Sequence, residues 1–202
     1  MKLNNDGSVS VSMGGAEVGQ GLRTVVRQVA AEALQIPPEK IRVYTEIDTQ
    51  FSPYEWQTIG SMFTTQGGRA IIRAADKLIA VVKSTAAQVL KTDVDYLEYN
   101  GEYVYLRNDP DIRVAVADLS RGYITSDGIT IGEYAHAVSD ARLPRYANPD
   151  ENGQGSLGVN YTFGATAAEI RIEKKTGKIF VDNFTSVFDV GQVINPKQIR
   201  GS

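Results

Sequence analysis

Residues 14 to 34, GGAEVGQGLRTVVRQVAAEAL, set Gly19, Gln20 and Gly21 directly before Leu22, where a helical apolar repeat begins. An α-helix opens with about four backbone N–H groups that lack partners inside the helix, and its macrodipole adds roughly half a positive charge there. Ser, Thr, Asp or Asn usually accepts from these groups, and none of them stands at residues 18 to 21. Glycine lets a backbone turn sharply and approach a ligand closely. An anion, most simply a phosphate, can therefore take the place of the cap, with the Gln20 amide beside it. The other reading is a glycine-rich turn whose amides are met by water or by a side chain from elsewhere. A second stretch, Gly60-Ser61-Met62-Phe63-Thr64-Thr65, precedes another helical repeat. There, Ser61 or Thr64 could cap in the ordinary way, or the two helix starts could converge on one polyanionic ligand.

Composition narrows the chemistry. The 202 residues contain no cysteine and one histidine, His136. Thiolate sites and disulfides are thus excluded, a His-based metal cluster or Ser-His-Asp triad is hard to assemble, and any metal must arrive inside a cofactor. With 21 Lys and Arg against 24 Asp and Glu, there is no basic surplus to attract nucleic acid. No apolar run reaches the roughly 20 residues that span a bilayer, and Met1-Lys2-Leu3 leads into polar Asn4-Asn5-Asp6, so no membrane partner and a cytoplasmic location are expected. His136 has no partner motif and reads as a satisfied or solvent-facing residue. Glu17 reads as structural, because a catalytic base must be aimed at the reacting group. Tyr96, Tyr99, Tyr103 and Tyr105 read as an aromatic packing cluster across two strands, and Trp56 as a loop anchor or a shield for the site.

Several elements must hold these residues in place. Alternation over Ser8–Met13 marks a strand with Val9, Val11 and Met13 on one face. Leu22, Val25, Val26, Val29, Ala30, Ala33 and Leu34 form the stripe of an amphipathic helix that ends before Pro37-Pro38. Ile41–Ile47 alternates as a strand, and a long loop runs to about Ile59. A second helix is expected from about Ser61 to Leu90. Tyr96–Tyr99 and Tyr103–Leu106 flank Asn100-Gly101-Glu102 as a hairpin. Val114–Tyr123 is a short helix candidate and Thr130–Val138 a possible strand, while Ser139–Gly158 reads as irregular. Ala167–Glu173 and Lys178–Asp189 form a hairpin around Lys175-Thr176-Gly177, and Asn195-Pro196 starts a helix after the Asp189-Val190-Gly191 turn. The class is α+β, with two main helices packed on a mixed sheet.

The block GGAEVGQGLRTVVRQVAAEAL, followed by TIGSMFTTQGGRAIIRAA, resembles the molybdopterin-binding region of the xanthine dehydrogenase and aldehyde oxidase family. A second block, YTFGATAAEIRIEKKTGKIFVDNFTSVFDVGQVINP, is similar to a later segment of the same region, and together they cover most of the chain. The resemblance implies that residues 1–202 form one lobe of a larger molybdopterin-binding domain. It implies a molybdenum cofactor whose pterin enedithiolate, and not the protein, holds the metal. Val18, Gly19, Gln20 and Gly21 match the family's cofactor-contacting turn. Thr58, Ile59, Gly60, Ser61, Met62, Phe63 and Thr64 match its second cofactor loop, with Met62 where many bacterial members carry arginine. By the same resemblance the catalytic glutamate lies in a segment beyond Gly201, so no catalytic residue is assigned here and the lobe is not expected to act alone. The implied activity is hydroxylation of a heteroaromatic or aldehyde carbon with water-derived oxygen. Iron–sulfur clusters and FAD are expected on partner chains or segments, and the remaining parts of the subunit and a small-molecule substrate complete the partners. The competing expectation is a non-catalytic α+β binding or interaction module whose glycine turns serve packing alone.

Overall fold

The computed structural model describes residues 1–55, 58–141, 148–156 and 161–200. Two compact units divide the chain, Met1–Leu143 and Pro144–Ser202.

In the first unit, β1 (Lys2–Leu3) pairs antiparallel with β2 (Val9–Ser12), which pairs parallel with β3 (Ile41–Tyr44). Parallel neighbours need a crossover, and α1 (Leu22–Leu34) supplies it. Of the stripe read from the sequence, Leu22, Val26, Ala30 and Leu34 are buried and Val25, Val29 and Ala33 half-buried, while Ala31, outside that stripe, also enters the core. The long helix α2 (Met62–Leu90) packs on α1 and buries Phe63, Ile71, Ala75, Leu78, Val82 and Ala86. Strands β4 (Leu97–Tyr99), β5 (Tyr103–Leu106) and β6 (Asp109–Ala115) form an antiparallel sheet, and β7 (Arg121–Ile124) pairs with β8 (Thr130–Tyr134). This is the expected α+β architecture, with the strands shared among small sheets.

Several details differ from expectation, among them the shorter β3 and β8, which end at Tyr44 and Tyr134. Val114–Tyr123 is not a helix: it comprises the end of β6, a 3-10 turn over Val116–Leu119, and β7. Its apolar spacing is compatible with a helix, but the Val104–Val114 cross-strand pairing and the bond from Val116 N–H to the Glu102 carbonyl draw it into the sheet; long-range pairing overrides local period. The four tyrosines form no cluster, because the register sets Tyr99 opposite Val104 and Tyr105 opposite Glu98. Tyr99 instead donates its hydroxyl to the Leu34 carbonyl at 2.8 Å, and burial raises its pKa to about 12. Finally, the two-residue β1 is a strand the sequence did not announce. It is held from both sides, by β2 and by residues after β8, where Leu3 N–H donates to the Ala135 carbonyl at 3.0 Å.

Gly101 in the β4–β5 turn has φ +88°, and a Cβ there would lie 2.1 Å from the Gln35 carbonyl oxygen. Only glycine lets the hairpin tip close against the C-terminal cap of α1.

The second unit is built on one hairpin, β9 (Phe163–Ile172) with β10 (Ile179–Asp189), bulged between Val181 and Asn183. β9 begins four residues earlier than its alternation suggests. After it, Asn195 Oδ1 accepts from the amides of Lys197 and Gln198, capping the single turn α3 (Pro196–Ile199).

Candidate cofactor-binding loops

The two glycine-bearing helix starts lie together in the first unit. Ala16 N–H donates to Thr58 Oγ1 at 2.9 Å, tying the loop before α1 to the loop before α2. Phe63, only 7% exposed, seals the junction. A Cβ on Gly15 would meet its ring at 2.4 Å and one on Gly67 at 2.7 Å, so both glycines make the notch that holds the ring. Gly14 is pressed against the backbone of Pro53 and against Glu55 in the same way, and burial raises the Glu55 carboxyl pKa. The two loops are therefore in contact. Trp56 lies outside the described residues.

Both helices leave the turn through a left-handed residue: Gly21 at φ +82° and Ser61 at φ +57°. Side-chain capping normally requires an extended cap residue, from which the oxygen reaches the second or third helical amide. In the left-handed conformation Ser61 makes no such bond, and no described side chain caps α2 in its place. The expectation that Ser61 or Thr64 caps this helix is corrected on that ground. A non-glycine residue held left-handed is unusual and costs energy.

At α1 the amides are met differently. Glu17 Oε1 accepts from the amides of Gly19 at 2.9 Å and Gly21 at 3.1 Å, and Oε2 accepts from Arg23 N–H at 3.0 Å. The anion expected from outside is thus supplied by the chain itself, and a foreign phosphate as the cap of α1 is corrected. These donors, that of Arg23 first, hold the Glu17 carboxyl below its usual range. Gln20 closes the turn further: its Oε1 accepts from Val18 N–H at 2.7 Å and its Nε2 donates to the Ala16 carbonyl at 2.8 Å. A carboxamide nitrogen carries two hydrogens, so one remains for another acceptor.

The outer surfaces of both turns are open. Val18, Gly19 and Gln20 are exposed, as are Ile59, Gly60, Ser61 and Thr64, while Thr58 and Met62 are half-buried. Nothing lies within 4 Å of where a Cβ would stand on Gly19 or Gly60. A polar ligand can therefore approach the backbone at both places. The donors on offer are a carboxamide, hydroxyls and the start of α2, a set suited to phosphate or heterocycle polar atoms. Of the other residues singled out, His136 is exposed and its Nδ1 lies 3.1 Å from the Tyr134 carbonyl, away from these loops in sequence and bonded locally. Glu17 is structural, as its sequence reading has it; what sequence reasoning missed is that its carboxylate accepts the amides at the start of α1, although a carboxylate four residues before Gly21 was the available signal.

Residues 1–202 match the family described as the molybdopterin cofactor-binding domain. The chain is 30% identical over its whole length to the 6-hydroxypseudooxynicotine dehydrogenase complex subunit gamma of Paenarthrobacter nicotinovorans, covering 24% of that protein. It is also 30% identical to the probable hypoxanthine oxidase XdhD of Escherichia coli K12, again over its whole length and covering 19% of that protein. Among solved structures, the reconstituted CO dehydrogenase from Oligotropha carboxidovorans superposes with a TM-score of 0.72 at 27% identity, over 99% of this chain and 23% of that one. The chain thus spans about a quarter or less of the length of the proteins it matches.

Proposed function

The chain belongs to the molybdopterin cofactor-binding domain family, and from that membership we propose that its two joined loops form one wall of the cofactor pocket of a molybdenum oxidoreductase. Val18, Gly19, Gln20 and Gly21 form one half of the wall, and Thr58, Ile59, Gly60, Ser61, Met62, Phe63 and Thr64 the other. The observation that carries this reading is the Ala16–Thr58 bond at 2.9 Å, which makes a single surface of two helix starts.

Within that surface the roles divide. The start of α2, without a side-chain cap, is the place for the negatively charged end of the ligand, since helix N-termini favour anions. Gln20 would offer its remaining N–H to a polar atom of the pterin, and open Gly19 and Gly60 would let the ligand lie against the backbone. Phe63, turned into the core, keeps water out of the junction. When bound, the cofactor supplies molybdenum held by pterin sulfurs and hence the redox chemistry. The protein's part here is to bind and orient.

For the whole protein we extend the reading to hydroxylation of a heteroaromatic or aldehyde carbon with water-derived oxygen. Its electrons pass to iron–sulfur and FAD partners, and its catalytic glutamate is supplied by a part of the subunit outside these residues. A cytoplasmic location belongs to the same reading; among the described residues no helix is long and apolar enough to cross a membrane.

The test is cofactor content. The full-length subunit purified from cells that make molybdopterin is expected to carry molybdenum and pterin in equal amounts, and Gln20→Ala is expected to lower both. Matured protein free of both would favour the non-catalytic interaction module instead.

A further inference from the structure

We infer that Glu17 is a positioning residue for the ligand-facing turn: its carboxylate occupies the start of α1 so that Gln20 is presented in one fixed orientation. This rests on the cofactor reading above and deepens it.

The bonding pattern exceeds what a helix cap requires. A cap satisfies one amide in the first turn of the helix. Glu17 satisfies one such amide, that of Arg23, and spends its other oxygen on Gly19 and Gly21, which precede the helix. Gly19 and Gly21 are the residues on either side of Gln20. Both are in left-handed conformations, φ +102° and +82°, where glycine has the widest choice of backbone states. Pinning both amides to one oxygen removes that choice on each side of Gln20. The carboxamide is then locked at both ends, by Val18 N–H on its oxygen and the Ala16 carbonyl on its nitrogen. The same Ala16 donates its own N–H to Thr58, so the orientation of Gln20 is referred to the second loop as well.

Charge makes the choice of glutamate specific. A carboxylate offers two acceptor oxygens and no donor, which suits three amide donors. A glutamine of the same shape would offer one oxygen and turn an NH2 group toward the Arg23 N–H, donor against donor. The negative charge also repels a second anion from the α1 start, which leaves the ligand's anionic end to α2.

A double-mutant cycle tests this on the full-length subunit purified from cells that make molybdopterin. The readout is oxidised-pterin fluorescence per mole of chain after dilution and gel filtration. Glu17→Gln is expected to weaken cofactor retention about tenfold, the scale at which loss of a group orienting a ligand-contacting side chain is felt. In a Gln20→Ala background the same change is expected to add nothing, because its effect passes through Gln20. Losses that multiply in the double variant would overturn the proposal, since a helix cap acting through stability alone has no reason to depend on Gln20. Full retention by E17Q alongside reduced retention by Q20A would also overturn it while leaving the cofactor reading standing. Full retention by Q20A would remove the cofactor reading of this turn and the proposal with it. If E17Q yields no folded protein, Glu17→Asp, which keeps the charge and shortens the reach by one methylene, carries the same cycle with the same expected outcomes.

Discussion

The start of α1 and the start of α2 share a backbone geometry and differ in what meets their amides. Each helix leaves its turn through a left-handed residue, Gly21 or Ser61. At α1 a carboxylate from the preceding loop accepts three amide hydrogens; at α2 no described side chain caps the helix. Two similar chain turns thus differ, one closed by the chain's own anion and the other without a side-chain cap. The conformational cost falls accordingly. Glycine bears the left-handed position at α1 without strain, whereas serine bears it at α2 with strain.

Breaking the contact between the two starts should have the largest effect. Phe63→Ala removes the ring from the notch between Gly15 and Gly67, and deletion of a buried Phe costs about 3 to 5 kcal/mol. Chemical denaturation should register that loss, and unchanged stability would mean the loops are joined by something else. Thr58→Val sharpens the comparison more gently. It removes the acceptor of the Ala16 amide, and loss of one such hydrogen bond costs about 0.5 to 1.5 kcal/mol. Cofactor content should fall by more than that change in stability accounts for.

Exchanging the left-handed residues tests the asymmetry directly. Ser61→Gly relieves the strained position and should raise the thermal midpoint, by up to about 1 kcal/mol of stability. Gly21→Ala imposes the same strain on α1 and should lower it by a similar amount. A change of the same sign at both sites would remove the distinction drawn between them.

The smallest expected effect is on acid. Glu17 is held below its usual carboxylate range by the amide of Arg23 first, then by those of Gly19 and Gly21. A depressed folded-state pKa stabilises the protein above the ordinary carboxylate value, near 4.3, and that contribution is lost as pH falls through the lowered one. Amide resonances of Gly19, Gly21 and Arg23 should move together in this acid window and stay flat in Glu17→Gln.

Much of this was legible in the linear sequence. The apolar repeats of α1 and α2 name the buried residues because helical periodicity is local, and Gly19, Gln20 and Gly21 were marked by the absence of an ordinary cap. Spacing could not say which group fills the gap, because Glu17 reaches forward to the amides of Gly19, Gly21 and Arg23 only once the glycines have turned the chain. β1 was hidden for a related reason: two residues carry no pattern, and their pairing with residues near Ala135 depends on contacts more than a hundred positions away. Val114–Tyr123 was misread because an apolar spacing compatible with a helix was overruled by pairing with β5.

Residue order alone therefore determined the helices, the glycine turns and the α+β class, since these follow from short-range sterics and from which face can be buried. Only the folded chain decided that the two turns meet through Ala16 and Thr58, that Ser61 is left-handed and cannot cap, and that Glu17 supplies the anion at α1. Hydrogen bonds act over about 3 Å, and whether a donor comes that close to an acceptor is settled by the path of the backbone, which no single stretch of sequence specifies.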